Sequence, residues 1–285
     1  MNITVNFINA FSQYGKGGNP AAVVLDADHL SAEERQRLAY KTGLSETAFV
    51  SRSKTADFKL DFYTPLRQIA HCGHATIATF SYLRQNGMLA GKAQSSKETI
   101  DGNRNISLIK NEVFMEQQAP TCRMLMPDDL DFVAHSLGLD AFCELPLIVN
   151  TGNAFLIVEV ANEDVLLHLR PNFQMIQSIS EKYDLIGYYV FCRTDAVGLD
   201  ATARMFAPAY GIREESATGM AAGPLACYLF STGLRKDKFA IEQGKLMTPP
   251  SPSSIKVDLL IDKQKIKSLL VGGTATLVEQ KTIQI

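Results

Sequence analysis

Two glycines precede apolar segments that are predicted to be helices. Gly73 comes just before residues 75–83 and Gly219 just before residues 221–229, and both segments are apolar on nearly every side. A helix of that kind is buried rather than lying on a surface. The first N–H groups of a helix lack partners within it and carry a partial positive charge, so they attract a carboxylate or a phosphate. The two helix entrances are therefore candidate anion sites, although either glycine alone could equally serve only a tight turn.

Glu46 is a candidate general acid or base. It lies between Leu44 and the apolar residues 48–50 at the start of a predicted strand. Burial disfavours the charged form of a carboxylate, which is one way to prepare it for proton transfer. An outward-pointing glutamate on an alternating strand is the simpler interpretation of this segment by itself.

Imidazole and thiol groups cluster at His71, Cys72 and His74, which raises the possibility of zinc. Three ligands within four residues cannot readily converge on one tetrahedral ion, and no second Cys/His cluster completes the set. A nucleophilic Cys/His pair would need the imidazole to reach the thiol and a third group to orient it. Residues 15–20 have neither the phosphate-loop order nor the dinucleotide fingerprint. We therefore expect no metal and no cofactor.

An internal repeat must position these groups. Residues 57–65 and 200–208 align with Asp and Pro in register, residues 18–24 resemble 152–158, and the two glycine-led segments follow in the same order. Two copies are too few for a solenoid. We predict two similar domains that face each other, at residues 1–118, completed by a C-terminal strand near 268–285, and at residues 119–267. Both helix entrances would then lie in one cleft.

Periodicity indicates the elements of each domain. A capping box at Ser31 and Glu34 and a stop at Gly43 predict an amphipathic helix over 32–41. The polar residues 91–105 suggest an exposed hairpin or loop. Alternating or apolar runs predict strands at 3–7, 21–25, 47–50, 58–63, 147–149, 155–160, 188–193, 203–206, 255–261 and 269–278. The class is mixed α/β (α+β), with each domain a mixed sheet or barrel around a central helix.

Composition narrows the classes of function. The 285 residues are 46% hydrophobic and 20% charged, with a formal net charge of -2, and they lack the basic excess of a nucleic-acid binder. No apolar run approaches a membrane span, and the N-terminus has no signal-peptide pattern. Five scattered cysteines argue against a disulfide framework and favour a reducing cytoplasm.

Together the motifs resemble a known family. The segments are 18–24 (GNPAAVV), 43–49 (GLSETAF), 62–65 (FYTP), 72–76 (CGHAT), and 204–208 (RMFAP) through 215–219 (ESATG). In this order they strongly resemble the PhzF-like phenazine-biosynthesis family, which shares its fold with diaminopimelate epimerase and proline racemase. The resemblance implies two similar domains with the active site between them, and suggests a homodimer.

The resemblance also implies roles for particular residues. Glu46 matches the general acid/base, His74 the histidine of the Gly-His motif, and Glu215 the acid before the second helix. The substrate-binding residues implied are Asn19, Ser45, Cys72, Gly73, Thr218, Gly219 and Met220. The function implied is a cofactor-independent isomerase that transfers a proton on a small carboxylate-bearing metabolite.

Two alternatives stay open. Related racemases have cysteines at the positions of Cys72 and Thr218, so an epimerase or dehydratase of a cyclic amino acid is one of them. A non-catalytic small-molecule-binding protein is the other, because fold alone does not establish activity. The chain departs from the family pattern at Glu215-Ser216, where Asp-Pro is usual, and at Gln68, where an acid is common. Both departures could change the shape and charge of the pocket, so they leave the identity of the substrate open.

Overall fold

The computed structural model describes residues 1–285 as a mixed α/β fold of two compact units. The helices are α1 (Ala32–Thr42), α2 (Gly73–Gln85), α3 (Pro127–Leu137), α4 (Glu163–Leu167), α5 (Phe173–Tyr183) and α6 (Gly219–Ser231). The strands are β1 (Asn2–Ala10), β2 (Asn19–Val24), β3 (Thr47–Ser51), β4 (Phe58–Tyr63), β5 (Gln68–Ile69), β6 (Gln94–Thr99), β7 (Gly102–Ile109), β8 (Glu112–Gln118), β9 (Thr121–Met124), β10 (Leu147–Asn150), β11 (Ala154–Glu159), β12 (Gly187–Arg193), β13 (Ala201–Ala207), β14 (Ile212–Glu215), β15 (Lys238–Gln243), β16 (Ser253–Asp262), β17 (Lys265–Gly273) and β18 (Ala275–Gln284). No helix has both the length and the apolar character needed to cross a membrane.

The first unit comprises residues 1–116 and 272–285. Its strands pair in the order β18, β1, β2, β3, β4, β6, β7, and the successive pairs are antiparallel, antiparallel, parallel, antiparallel, parallel and antiparallel. Helix α2 packs against β1, β2, β3 and β18. The sheet therefore wraps around one central helix.

The second unit, residues 117–271, has the same plan. Its strands pair in the order β9, β10, β11, β12, β13, β15, β16, with the same sequence of parallel and antiparallel pairs. Helix α6 contacts β10, β11 and β16. The predicted mixed class and the two similar domains built around central helices are thereby confirmed.

Both central helices begin at the glycines that the sequence singled out. Residues 73–83 of α2 are buried without exception, and α6 is buried nearly as completely. Thr76 and Thr79 lie inside α2, and their hydroxyls donate to the carbonyls of Cys72 and Ala75. A buried threonine is tolerated because its hydroxyl finds an acceptor one turn back.

Helix α1 covers the other face of the first sheet. Its predicted capping box is present, since Ser31 Oγ accepts from the Glu34 N–H and Glu34 accepts from the Ser31 N–H, and Gly43 ends the helix with φ of 69°. Leu38 and Ala39 pack into a cluster with residues of β1 to β4.

Two expectations need correction. Residues 91–105 form the hairpin β6–β7, but Ser95, Lys97 and Thr99 of β6 are buried, so the prediction of an exposed segment was wrong for this strand. Their burial follows from the parallel pairing of β6 with β4, which makes β6 an inner strand of the wrapped sheet. The strand predicted over 269–278 is interrupted at Thr274, between β17 and β18.

Candidate active site

The entrance of α2 is a buried turn that the helix does not cap itself. Cys72 is the residue before the helix, in extended backbone, and its side chain makes no capping hydrogen bond. Cys72 and Gly73 are buried, and His74 is 6% exposed. The first N–H groups of a helix have no acceptors within the helix itself.

Glu46 lies against this entrance. It immediately precedes β3, and its carbonyl accepts from the Ala22 N–H of β2, at 3.1 Å. Because α2 packs on β2 and β3, the residue before β3 comes close to the first turn of α2. The Glu46 side chain is only 13% exposed, and its Oε2 lies 3.2 Å from His74 Nε2. The structure therefore does not support the interpretation of Glu46 as an outward-pointing surface residue.

The imidazole of His74 stands between a carboxylate and a thiol. Its Nε2 faces Glu46, and its Nδ1 lies 3.7 Å from Cys72 Sγ. The sequence of groups is therefore thiol, imidazole, carboxylate. In such an arrangement the imidazole can carry a proton between its two neighbours.

Electrostatics make Glu46 and His74 an ion pair. Burial pushes the pKa of Glu46 upward, as expected from the sequence, but the hydrogen bond and charge of His74, with a smaller contribution from Ser45, hold this pKa below its usual value. Burial opposes protonation of His74, yet Cys72 and Glu46 raise the pKa of His74 well above 6.5. The effect of burial on Glu46 that the sequence suggested is present, but His74 outweighs it.

A metal ion fits this cluster poorly. One potential ligand atom from each of Glu46, Cys72 and His74 lies within 4.8 Å of the others, so distance alone would admit an ion. However, the thiol and the carboxylate face opposite nitrogens of the same ring. The cluster also offers three side chains, whereas a closed structural zinc site uses four. The geometry suits a proton relay better.

The entrance of α6 in the second unit is built from other groups. Thr218 occupies the position before the helix, as Cys72 does in α2. Its hydroxyl donates to Glu215 Oε2. A hydroxyl thus takes the place that the thiol has in the first unit, and its partner is a carboxylate from the strand before the helix.

Gln243, at the end of β15, holds this second entrance together. Its Nε2 donates to the Glu215 carbonyl at 2.7 Å and to Thr218 Oγ1 at 3.1 Å. Its Oε1 accepts from the Thr218 N–H at 3.0 Å and from the Tyr189 hydroxyl at 2.9 Å. Gln243 is fully buried, so a neutral amide with all of its groups engaged fixes the turn.

Comparison with known proteins decides the family. The family model for phenazine biosynthesis-like proteins, PhzC-PhzF, matches residues 8–281. The chain belongs to this PhzF family.

Individual relatives of this PhzF-family chain are named as isomerases. An uncharacterized isomerase of Deinococcus radiodurans is 31% identical over 284 residues, covering 94% of this chain and 90% of that protein. The trans-2,3-dihydro-3-hydroxyanthranilate isomerase of Pseudomonas aeruginosa is 31% identical over 229 residues, 78% of each chain. The chain is accordingly a PhzF-family isomerase.

Solved structures agree on the fold. The PhzF-family phenazine biosynthesis protein of Bacillus anthracis superposes with a TM-score of 0.91 at 30% identity, over 100% of both chains. A hydroxyproline epimerase of Agrobacterium vitis superposes with a TM-score of 0.60 at 12% identity, over 99% of this chain and 92% of that one. The fold is therefore of the diaminopimelate epimerase type.

The residues predicted for the site of this isomerase fall into two local groups. Ser45, Glu46, Cys72, Gly73 and His74 come together in the first unit. In the second unit, the group consists of Glu215, Thr218, Gly219 and Met220. That the two groups line one cleft stays a prediction.

The predicted site residues Asn19 and Met220 each have a defined position in their own unit. Asn19 begins β2, is 4% exposed and pairs with Ala10 of β1. Met220 is half-buried, and its sulfur accepts from Asn153 Nδ2 at 3.4 Å. The polar residues Lys97 and Gln243, which sequence reasoning did not select, lie directly behind the two helix entrances.

The departure at Gln68 has a local explanation. Gln68 Nε2 donates to Asp61 Oδ1 at 3.2 Å, and the other oxygen of Asp61 is paired with Arg35 Nη1 at 2.5 Å. Asp61 is 5% exposed, so its second oxygen needs a donor. Glutamine supplies one, whereas an ionised acid at this position would place two carboxylates together.

Gly244, the residue after β15, lies against the backbone of Ser216, which follows Glu215. A Cβ on Gly244 would lie 2.2 Å from the Ser251 carbonyl oxygen and 2.6 Å from that of Ser216, and the residue has φ of +79°. Gly198 has the same φ but open space around it. We expect Gly244→Ala to cost at least about 2 kcal/mol more stability than Gly198→Ala, because only the former adds a backbone clash to the left-handed strain. Urea denaturation of both variants checks this, and equal midpoints would contradict the clash.

Proposed function

We propose that this isomerase transfers a proton between two carbons of a small unsaturated carboxylate, with Glu46 as general acid/base and no cofactor. The observation that carries the proposal is the contact between Glu46 and His74 at the buried entrance of α2. The lowered pKa of Glu46 leaves it ionised at neutral pH, as a base must be before it accepts a proton.

The step conserves all atoms and electrons. Glu46 takes a proton from one carbon, and the electron pair left behind becomes part of a double bond that shifts along the carbon chain. The carboxylic acid so formed returns the proton to the carbon at the other end of the shifted system. No oxidant or reductant is needed.

His74 has a defined task in this reaction. Its raised pKa keeps it as an imidazolium at neutral pH. When Glu46 becomes neutral, the imidazolium faces the negative charge that develops on the substrate. We propose that Glu215, with Thr218, serves the same reaction from the second unit.

The carboxylate of the substrate is assigned to the helix entrances. Each helix dipole contributes about 0.3–1 kcal/mol to binding of an anion at an exposed site, and more when partly buried. The burial of Cys72, Gly73 and His74 favours the upper part of that range. The relative from Pseudomonas aeruginosa is named for a substrate of this class, a cyclic amino acid with a carboxylate.

The first test uses that compound and its amide. We expect turnover of trans-2,3-dihydro-3-hydroxyanthranilate, or of another small unsaturated acid from a panel, with kcat/KM about tenfold or more above that of the matching amide, because only the acid gains from the helix ends. In D2O, deuterium that reaches Glu46 by exchange should appear at the carbon that gains the proton. Equal kcat/KM for acid and amide would remove the anion site from the mechanism.

A second candidate rests on the distance between Cys72 and His74. Because Sγ lies 3.7 Å from Nδ1, the thiol could act as the proton-transferring group of an epimerase or dehydratase. The corresponding residue of the second unit is Thr218, a hydroxyl bound to Glu215. Because only one of the two corresponding positions carries a thiol, this candidate reaction would use Cys72 alone rather than a symmetric pair of cysteines.

A further inference from the structure

A lysine is buried behind the entrance of α2. Lys97 of β6 is 0% exposed. Its Nζ donates to Thr76 Oγ1 at 2.6 Å, lies 3.2 Å from His71 Nδ1 and sits 5.1 Å from the centroid of the Phe62 ring. Its close partners are thus a hydroxyl, an imidazole and an aromatic face. Burial of an ammonium group is costly, so its presence here calls for a reason.

These partners flank the segment that carries the site. Thr76 Oγ1 accepts from Lys97 and donates to the Cys72 carbonyl at 2.6 Å. His71 is the residue before Cys72. Lys97 therefore contacts both ends of residues 71–76, through His71 and Thr76. Gly73 and His74 lie between these two contacts.

The imidazole of His71 is suited to an ammonium partner. Burial, reinforced by the positive charges of Lys97 and Arg104, lowers the pKa of His71 to about 3. His71 is therefore neutral at physiological pH, and its Nδ1 can accept a hydrogen bond from the charged lysine.

The second unit performs the same positioning without a charge. β6 and β15 are corresponding strands, because β6 pairs in parallel with β4 and β15 pairs in parallel with β13 at the same place in the strand order of each unit. From β15, the neutral amide of Gln243 fixes the turn before α6. A neutral side chain is therefore sufficient to fix the turn before a central helix. The positive charge of Lys97 is not needed for that purpose and must have another role.

We infer that Lys97 is a positioning residue that, in its charged form, makes residues 71–76 the binding place of the substrate carboxylate. This inference rests on the proposed function and deepens it, because it assigns the carboxylate to the α2 entrance rather than to that of α6. The charge acts through the turn, without touching the substrate.

The charge of Lys97 changes in the physiological range. Burial lowers the pKa of Lys97 to about 7, with Arg104 acting in the same direction and with Cys72 and Asp101 opposing it. The neighbouring His71 is neutral throughout this range. Anion binding should therefore weaken as pH rises through about 7, by at most about tenfold per pH unit for a single proton. By the same linkage, a bound anion should raise the pKa of Lys97.

Measurements of ligand binding test the role of the Lys97 charge without requiring turnover of a substrate. We choose anthranilate as the probe and anthranilamide as its neutral counterpart, with dissociation constants measured by calorimetry at pH 6 and pH 9. We expect the wild-type protein to bind anthranilate about tenfold or more tightly at pH 6. Lys97→Met keeps the apolar stem and should bind weakly at both pH values. Lys92→Met removes an exposed lysine paired with Asp57 and should behave as the wild type does.

The outcomes separate the two claims. A Lys97→Met protein that keeps the wild-type pH difference overturns the role of Lys97 and leaves the proposed function intact. Equal binding of anthranilate and anthranilamide by the wild type, or no binding of either, counts against the carboxylate site itself and so overturns both. Should Lys97→Met not fold, NMR titration of the Lys97 side chain in the wild-type protein decides, because a pKa unchanged by bound anthranilate contradicts the inference.

Discussion

Glu46→Gln should lower kcat by about 10²- to 10⁴-fold, the usual contribution of a general acid or base, while KM stays within a few fold. The amide keeps the size of the side chain and can still accept from His74, but it cannot take a proton from carbon. Steady-state kinetics on the substrate identified by the acid and amide comparison give the result. Retained anthranilate binding and an unchanged melting temperature show that the site is still formed.

Cys72→Ser is the matched comparison for that experiment. It changes the other neighbour of His74 and leaves the carboxylate in place. If Glu46→Gln turned over normally and Cys72→Ser did not, the thiol would be the transferring group and the second candidate function would replace the first.

His74→Gln should move the acid limb of the pH profile upward and lower kcat by about 10²-fold or more. In the wild-type protein, burial pushes the pKa of Glu46 up and His74 more than offsets it, so the limb lies below pH 4.5. Without the imidazole, burial acts nearly alone, and the pKa of Glu46 should rise above 4.5. Glu46 would then be protonated at a higher pH, and activity would be lost earlier as pH falls. The pH dependence of kcat/KM measures the shift.

Ser45→Ala provides the control for the pH profile. Ser45 contributes less than His74 to the lowered pKa of Glu46, so its removal should displace the acid limb only slightly. An acid limb that stays at its wild-type position in His74→Gln would show that the imidazole does not govern the ionisation of Glu46.

Local sequence patterns determined the elements of the fold. The capping box at Ser31 and Glu34 bounds α1, and Gly73 and Gly219 begin the two central helices, because helix ends and buried helices depend on residues close together in the chain. The same motifs occur twice in the same order along the chain, and this repeat predicted the two similar units. Similar sequences form similar strands and helices, which pair and pack in the same way. The resemblance to the PhzF-like family, rather than the helix starts, pointed to Cys72 and Thr218 as site residues, and the structure has both at the residue before a central helix.

Tertiary structure decided which groups meet and how they ionise. Glu46 approaches His74 because β3 packs under α2, and only that packing supplies the imidazole that reverses the effect of burial on the carboxylate. Lys97 stands in a polar stretch that suggested an exposed hairpin, yet the parallel pairing of β6 with β4 turns its side chain inward. Parallel pairing joins residues far apart in sequence, and the sequence marks neither its partner nor its register. The chemistry of the site therefore depends on contacts between strands and helices that no local pattern encodes.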